Sequence, residues 1–322
     1  MMEGIKIIKR PKLKDPYLVV AWPGMGEVAL KSAQYLVETF KAEVCAQLLA
    51  DEFFYPTSSS VQGGILNLPE LPYGKFYYWK NKSGKNDLVI FISNAQPDLS
   101  GAELYCARIL AYAKSIKAKT LISIAAMPQP VEHTQDANVW ITATSADLIN
   151  SLKKYNLSIL ADGQISGMNG LFLGIAKKEG FEGFCLLGEI PLYTIQIENP
   201  KASCVVLEAL AKILEVRIDL SSLLTQAHIM EDEINKLLDY LKLGTPLGPI
   251  GEEEIEKIKK SLSQITKLPG SVKEKIDALF NQAKTDISRA KELKLELDKW
   301  NVYKEYEDKF LDLFKKKKDN SN

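Results

Sequence analysis

The chain has 322 residues, of which 46% are hydrophobic and 25% charged, and its 41 basic and 41 acidic residues cancel. That length can bury a large core, in one domain or two, and the composition is ordinary for a globular protein. Balanced charge without a concentrated basic face argues against nucleic acid as a partner, and no apolar run is long enough to span a bilayer.

The first residues, Met1-Met2-Glu3-Gly4-Ile5-Lys6, lack the apolar core of a signal peptide, so the expected compartment is the cytoplasm. Cys45, Cys106, Cys185 and Cys204 are scattered, with no CxxC pair and no zinc spacing. They read as reduced core thiols. With only two histidines in the chain, metal chemistry and imidazole catalysis are both limited. The sequence gives no reason to expect a metal or a cofactor.

A short edge segment ends at Pro11, and Tyr17-Leu18-Val19-Val20-Ala21 then reads as a buried strand. Trp22-Pro23-Gly24-Met25-Gly26-Glu27 is a strand-to-helix turn. Val28, Ala29, Ser32, Ala33, Leu36 and Val37 follow at helical spacing. Glycines at such a turn let another group approach the backbone and its free N–H groups. Lys41 to Leu49 reads as a second strand. Gln62 to Leu68 and Gly74 to Lys80 read as strands of a meander, joined through Pro69 and Pro72. Asp87 to Ser93 is an apolar central strand. Asn94-Ala95-Gln96-Pro97 forms a loop before a helix over Gly101 to Ser115.

Thr120 to Ala126 is another apolar strand, and Val139 to Thr144 continues the pattern before a short helix over Asp147 to Tyr155. Ser166-Gly167-Met168-Asn169-Gly170 opens a helix, Leu171 to Lys178. Gly183 to Glu189 and Tyr193 to Ile195 read as strands, and Asn199-Pro200 starts a helix over Lys201 to Leu214. Strands alternating with helices argue for a three-layer α/β/α sandwich with a mixed sheet. Leu220 to Leu243 is a long amphipathic helix, followed by a breaker-rich linker, Gly244 to Gly251. Residues 1–243 therefore read as the α/β/α domain and 252–314 as a helical extension. One helix carries Ile255, Ile258, Leu262 and Ile265. A second carries Ile276, Leu279, Phe280, Ala283, Ile287, Ala290, Leu297 and Trp300. The extension's aromatic stripe, continued by Tyr303, Tyr306 and Phe310, must be buried on the body or across a subunit contact. The lysine-rich tail, 315–322, is expected to be disordered.

Several stretches could carry chemistry. Gly24-x-Gly26-x-x-Ala29 matches a dinucleotide fingerprint with alanine in the third place, and Asp51 or Glu52 lies near the ribose-binding position. Against it, Trp22-Pro23 stiffens the approach and a meander replaces the next βα unit. Ser83-Gly84-Lys85 resembles the end of a phosphate loop but lacks its flanking residues, and reads as a solvated turn. His133 reads as a surface residue and His228 as structural. Glu189 falls at a strand end, where α/β sheets place ligand crevices, and a salt-bridged structural role competes with that reading. Turns near Gly24, Met25 and Gly26, near Asn94 and Gln96, and near Gly167, Asn169 and Gly170 could converge on one rim with Glu189.

Taken in order, Pro23-Gly24-Met25-Gly26-x-Val28, Gln62-Gly63-Gly64-Ile65, Gln96-Pro97, Ser166-Gly167-x-Asn169-Gly170-Leu171, Leu187-Gly188-Glu189-x-Pro191 and Asn199-Pro200-Lys201-Ala202 carry a resemblance. The chain resembles the proteasome assembly chaperone 2 family in its archaeal and bacterial single-chain form, from about Tyr17 to Leu224. The resemblance implies a fold similar to the phosphorylase/hydrolase-like proteins, self-assembly into a homo-oligomer, and a role with proteasome α-subunits. It carries over no catalytic residue. Some archaeal members end in a hydrophobic residue, a tyrosine and one further residue that dock in α-ring pockets. This sequence reads Asp319-Asn320-Ser321-Asn322 there, so that docking mode is not expected. The expected function is a non-enzymatic assembly or interaction factor, without nucleic acid or membrane as partner. The alternative is a ligand- or nucleotide-binding protein or enzyme using the glycine-lined pocket.

Overall fold

A computed structural model describes residues 3–49, 52–55, 59–68, 70–82, 85–243, 270–299 and 302–314. The centre of the sheet is four parallel strands: β2 (Tyr17–Ala21), β7 (Leu88–Ser93), β8 (Thr120–Gln129) and β11 (Gly183–Pro191). Their order is β7-β2-β8-β11. These are the near-continuous apolar runs of the sequence. Strands covered by helices on both faces have no solvent side to mark with polar residues.

The pleat sorts those runs into two cores. Val19, Ala21, Ile90, Ile92, Ile122, Ile124, Phe184 and Leu186 face one side. Leu18, Val20, Val89, Phe91, Leu121, Cys185 and Leu187 face the other, as a period of two requires. Helices α1 (Val28–Phe40) and α5 (Pro200–Leu214) cover the first face. Helices α2 (Ala102–Ser115) and α4 (Met168–Lys178) cover the second. Helix α6 (Ser221–Leu243) packs on α5. The local signals agree with the sequence: Asn199 caps α5, its Oδ1 accepting the Ala202 N–H at 2.9 Å, with Pro200 in the first turn.

Antiparallel strands flank this centre. On one side lie β6 (Gly74–Trp79), β3 (Glu43–Leu48) and the edge strand β1 (Ile5–Ile7). On the other, β9 (Val139–Ala143) runs antiparallel to β11, and the two-residue β10 (Ser158–Ile159) pairs with β9. The short helix after β9 is α3 (Ala146–Leu152).

Two readings of the sequence are corrected. The stretch Gln62 to Leu68 is not one strand of the sheet. It is a separate hairpin, β4 (Ser60–Gln62) and β5 (Ile65–Asn67), turning at Gly63 and Gly64, whose φ values are 60° and 81°. Positive φ at both central positions is what a tight hairpin turn demands, and glycine meets it without strain. Tyr193 to Ile195 is not a strand either. Leu192–Thr194 is a single 3-10 turn, tied by Thr194 Oγ1 donating to the Pro191 carbonyl at 2.9 Å.

Beyond α6 the described chain is helical: α7 (Gly270–Thr285), α8 (Ala290–Lys299) and α9 (Tyr303–Leu311). Ile276, Leu279, Phe280, Ala283, Leu293, Leu297, Val302 and Phe310 are buried, in one contiguous apolar cluster with α1, α5 and their sheet face. Tyr303 and Tyr306 pack against that cluster. Ile287, placed on the buried stripe in the sequence, is exposed. The linker, the helix expected around Ile255 to Ile265, Trp300 and the lysine-rich tail lie outside the described residues, as do Asp51, Ser83 and Gly84.

Candidate functional site

The carboxyl ends of β2, β7, β8 and β11 meet at one rim. Neighbouring strands β2 and β7 send their helices, α1 and α2, to opposite faces. That reversal opens a crevice at the strand ends. A cavity of about 140 Å³ lies there. Gly24 and Met25 line it after β2, Gln96 after β7, Ala125 to Pro128 along β8, and Gln164 to Gly167 with Asn169 before and in α4.

Trp22 anchors the rim from below. It is fully buried, its ring 5.5 Å from that of Phe91 and 5.6 Å from that of Phe172, and its Nε1 donates to the Tyr105 hydroxyl at 3.3 Å. The Trp22 N–H donates to Asn169 Oδ1 at 3.0 Å, and Asn169 Nδ2 donates back to the Trp22 carbonyl at 3.0 Å. The amide thus copies a strand's hydrogen-bonding edge just where β2 ends. Ser123 Oγ donates to the Asn169 carbonyl. Gln96 makes a second clasp. Its Nε2 donates to the Pro23 carbonyl at 2.8 Å and its Oε1 accepts the Met168 N–H at 3.1 Å.

These distances explain the glycines. A Cβ on Gly170 would lie 2.0 Å from the Ile165 carbonyl oxygen, and one on Gly167 2.9 Å from the Gln96 amide. At Gly26 the φ of 60° is left-handed, its N–H donates to the Ile195 carbonyl at 2.8 Å, and its carbonyl accepts the Asn199 N–H at 2.8 Å. The Gly24-x-Gly26 turn therefore gives its second peptide to the chain entering α5. In a dinucleotide site that backbone would approach a pyrophosphate.

Of the residues singled out in the sequence, Gly24, Met25, Gln96, Gly167 and Asn169 line the cavity, whereas Asn94, Gly26, Gly170 and Glu189 do not. Asn94 accepts the Tyr73 N–H on Oδ1 at 2.7 Å and so ties β6 to the loop after β7. Glu189 is buried on the same face of β11 as Leu187, two residues further along the strand. It accepts from Trp140 Nε1 at 3.1 Å and from Asn138 Nδ2 at 3.4 Å. Gly170 supports the rim from within α4.

Sequence reasoning missed Ala125, Ala126, Met127 and Pro128. Their only signal is small residues at the end of a buried strand. It also misplaced His133, which is buried, not on the surface. Its Nδ1 meets the Tyr193 hydroxyl and its Nε2 meets Asn235 Oδ1 of α6, each at 2.8 Å. Beside it Lys201 donates to the carbonyls of His133 at 2.7 Å and Gln135 at 2.9 Å, and pairs with Glu231 of α6. This network fastens α6 to the loop after β8. His228 is exposed on α6, its Nδ1 3.7 Å from Glu231.

Burial pushes the thiols of Cys106, Cys185 and Cys204 up to about 12, so they are protonated and unreactive at neutral pH. Among the described residues no cluster of His, Cys, Asp or Glu could hold a metal ion, and no helix is long and apolar enough to cross a membrane.

The family model of the PAC2 family matches residues 18–238. The chain belongs to the PAC2 family. The match covers the sheet from β2 onward, both helical layers and nearly all of α6, and leaves the edge strand β1 and α7 to α9 outside. The uncharacterized protein MJ1210 of Methanocaldococcus jannaschii is 27% identical over 269 residues, covering 80% of this chain and 100% of that one. Among solved structures, PbaB of Pyrococcus furiosus, an archaeal proteasome activator, is 28% identical with a TM-score of 0.63, covering 72% of this chain and 97% of PbaB. PbaA of the same organism, an archaeal homolog of proteasome-assembly chaperone, shares the fold at 23% identity and a TM-score of 0.56, covering 83% of this chain and 100% of PbaA. This PAC2-type body is a mixed α/β/α sandwich with appended helices.

Proposed function

We propose that this PAC2 protein is a non-catalytic assembly or interaction factor that self-associates and acts on proteasome-related partners, α-subunits foremost, in the cytoplasm. The observation that carries the reading is the β4–β5 hairpin. Val61, Ile65, Leu66 and Leu68 are 66–76% exposed, in a sheet that has two strands among the described residues. An isolated hairpin is marginal in water, and an exposed apolar one is favoured only where another surface covers it. Membership of the PAC2 family and the likeness to PbaB support the choice of partner. The polar groups of the glycine corners support the absence of chemistry, because Asn169 and Gln96 hold backbone groups of the protein itself.

The test is retention of purified proteasome α-subunits from the same cell, with ring assembly followed in a deletion strain. Retention that is lost when Val61 and Leu66 become serine, with delayed rings, supports the reading. No retention together with unchanged ring assembly would sink it.

The 140 Å³ cavity favours a second reading, a small ligand held at the strand ends near Gly24, Gln96 and Gly167. Native mass spectrometry of the purified protein, with thermal shift against NAD, ATP and nucleosides, separates the two. A bound molecule or a shift of several degrees selects the ligand reading.

A further inference from the structure

The N-terminal segment and the end of α2 enclose a second cavity, of about 540 Å³. Its walls carry Lys9, Arg10, Lys12 and Lys117 around an aliphatic floor of Ile7, Pro11, Leu13 and Ile116, with no acidic residue among them. Lys6, Lys114 and Lys119 stand in the same two segments. The cavity lining itself is thus basic, although the chain as a whole is neutral. Lys9 pairs with Glu43, but among the described residues Arg10, Lys12 and Lys117 make no ion pair. The negative end of the α2 dipole points this way, and Lys114 in its last turn offsets it.

The cavity adjoins an unpaired sheet edge. Among the described residues strand β1 pairs with β3 alone, and Ile7, its last residue, lines the cavity. The Gly4 carbonyl accepts the Leu49 N–H and the Ile8 N–H donates to the Cys45 carbonyl, both toward β3. Alternation along the antiparallel ladder turns the N–H and C=O groups of Ile5 and Ile7 outward. Backbone bonds along a free edge, with side-chain pockets beside it, are how extended peptides are recognised.

We propose that this edge and cleft bind an extended acidic peptide segment of a partner protein, adding a strand to β1 and placing its carboxylates against Arg10, Lys12 and Lys117. A peptide fits better than a nucleic acid. The floor is aliphatic and no aromatic face is offered for a base, since Tyr112 packs its ring 4.2 Å from that of Phe76 and engages Cys45 through its hydroxyl. The hairpin contact proposed above lies on a different part of the chain, so either can fail without the other.

The test is fluorescence anisotropy of the full chain with a labelled peptide of alternating Glu and Val. A Lys-Val peptide, a single-stranded DNA and inorganic polyphosphate serve as competing probes. The Glu-Val peptide should bind and the Lys-Val peptide should not. Binding should weaken when salt rises from about 50 to about 300 mM. Arg10→Glu and Lys117→Glu, on exposed side chains, should each weaken it about tenfold. Ile7→Pro removes an outward N–H at a position where an edge strand accepts proline, and should weaken it while leaving the melting temperature near that of the parent. No binding, binding unmoved by the charge reversals, or DNA or polyphosphate bound as tightly as the peptide would each overturn the proposal. If Ile7→Pro unfolds, competition by a peptide N-methylated on alternate residues reads the backbone bonds instead, and an undiminished competitor counts against them.

Discussion

Asn169 in α4 and Trp22 at the end of β2 are 147 positions apart in the chain, yet they exchange two hydrogen bonds of 3.0 Å through one side-chain amide. The pair closes the last open peptide of the central strand. Asn169→Ala leaves both Trp22 backbone groups buried without a partner, at about 1–3 kcal/mol each. We expect a loss of about 2–4 kcal/mol, read from the urea midpoint. A change below about 0.5 kcal/mol would mean the rim does not depend on this amide.

Two glycines of α4 make a controlled comparison. Gly170→Ala drives a methyl into the Ile165 carbonyl and should prevent folding or displace the loop before α4. Gly174 has open space around its Cβ position, so Gly174→Ala should stabilise by up to about 1 kcal/mol. Thermal melts of the two variants should move in opposite directions.

The buried thiols set an alkaline limit. Cys106, Cys185 and Cys204 are held near 12 in the folded chain against an ordinary 9.0, and Tyr105 near 12 against 10.0, all chiefly by burial. Between those values the unfolded chain releases protons that the folded chain keeps. The stability these four groups contribute is therefore constant below about pH 8 and falls as pH rises through 9 toward 12, each thiol steepening the fall by up to about 1.4 kcal/mol per pH unit. Urea titrations from pH 7 to 10.5 check this. A thiol reagent at pH 8 should react slowly with the native protein and fully once it is unfolded.

The hairpin separates contact from stability. Val61→Ser with Leu66→Ser removes exposed apolar surface only, so the monomer's melting temperature should stay within about 2 °C. The sedimentation coefficient or partner retention should fall. Equal melting and unchanged association would remove the hairpin from the assembly reading.

Ending the chain at residue 243 uncovers the side of the first core that Ile276, Phe280, Leu293 and Leu297 now share. We expect a lower melting temperature by several degrees and increased binding of a hydrophobic dye. An unchanged melt would mean that α7 to α9 lend the body no stability.

What the sequence could tell followed from how local each signal is. Tyr17–Ala21, Leu88–Ser93 and Gly183–Pro191 announce themselves because strands covered on both faces are apolar throughout. The glycine turns announce themselves because few other residues tolerate those backbones. The hairpin was hidden because Gln62 to Leu68 carries no charge to separate a free ribbon from a sheet strand, although Gly63-Gly64 held the signal. Tyr193 to Ile195 has strand-forming residues but follows Pro191, whose carbonyl the Thr194 hydroxyl captures. The cavity wall at Ala125 to Pro128, and the burial of His133 beneath α6, depend on partners far along the chain. No local pattern encodes them.

The parallel centre has a kinetic consequence. Trp22, Gln96 and Asn169 reach the rim only after β2, β7, β8 and β11 have taken their places, and every one of those pairings spans a long loop. Such non-local closure is slow, and it comes late in folding. A nascent or half-folded copy therefore displays loose corners where a finished one displays a rigid lip.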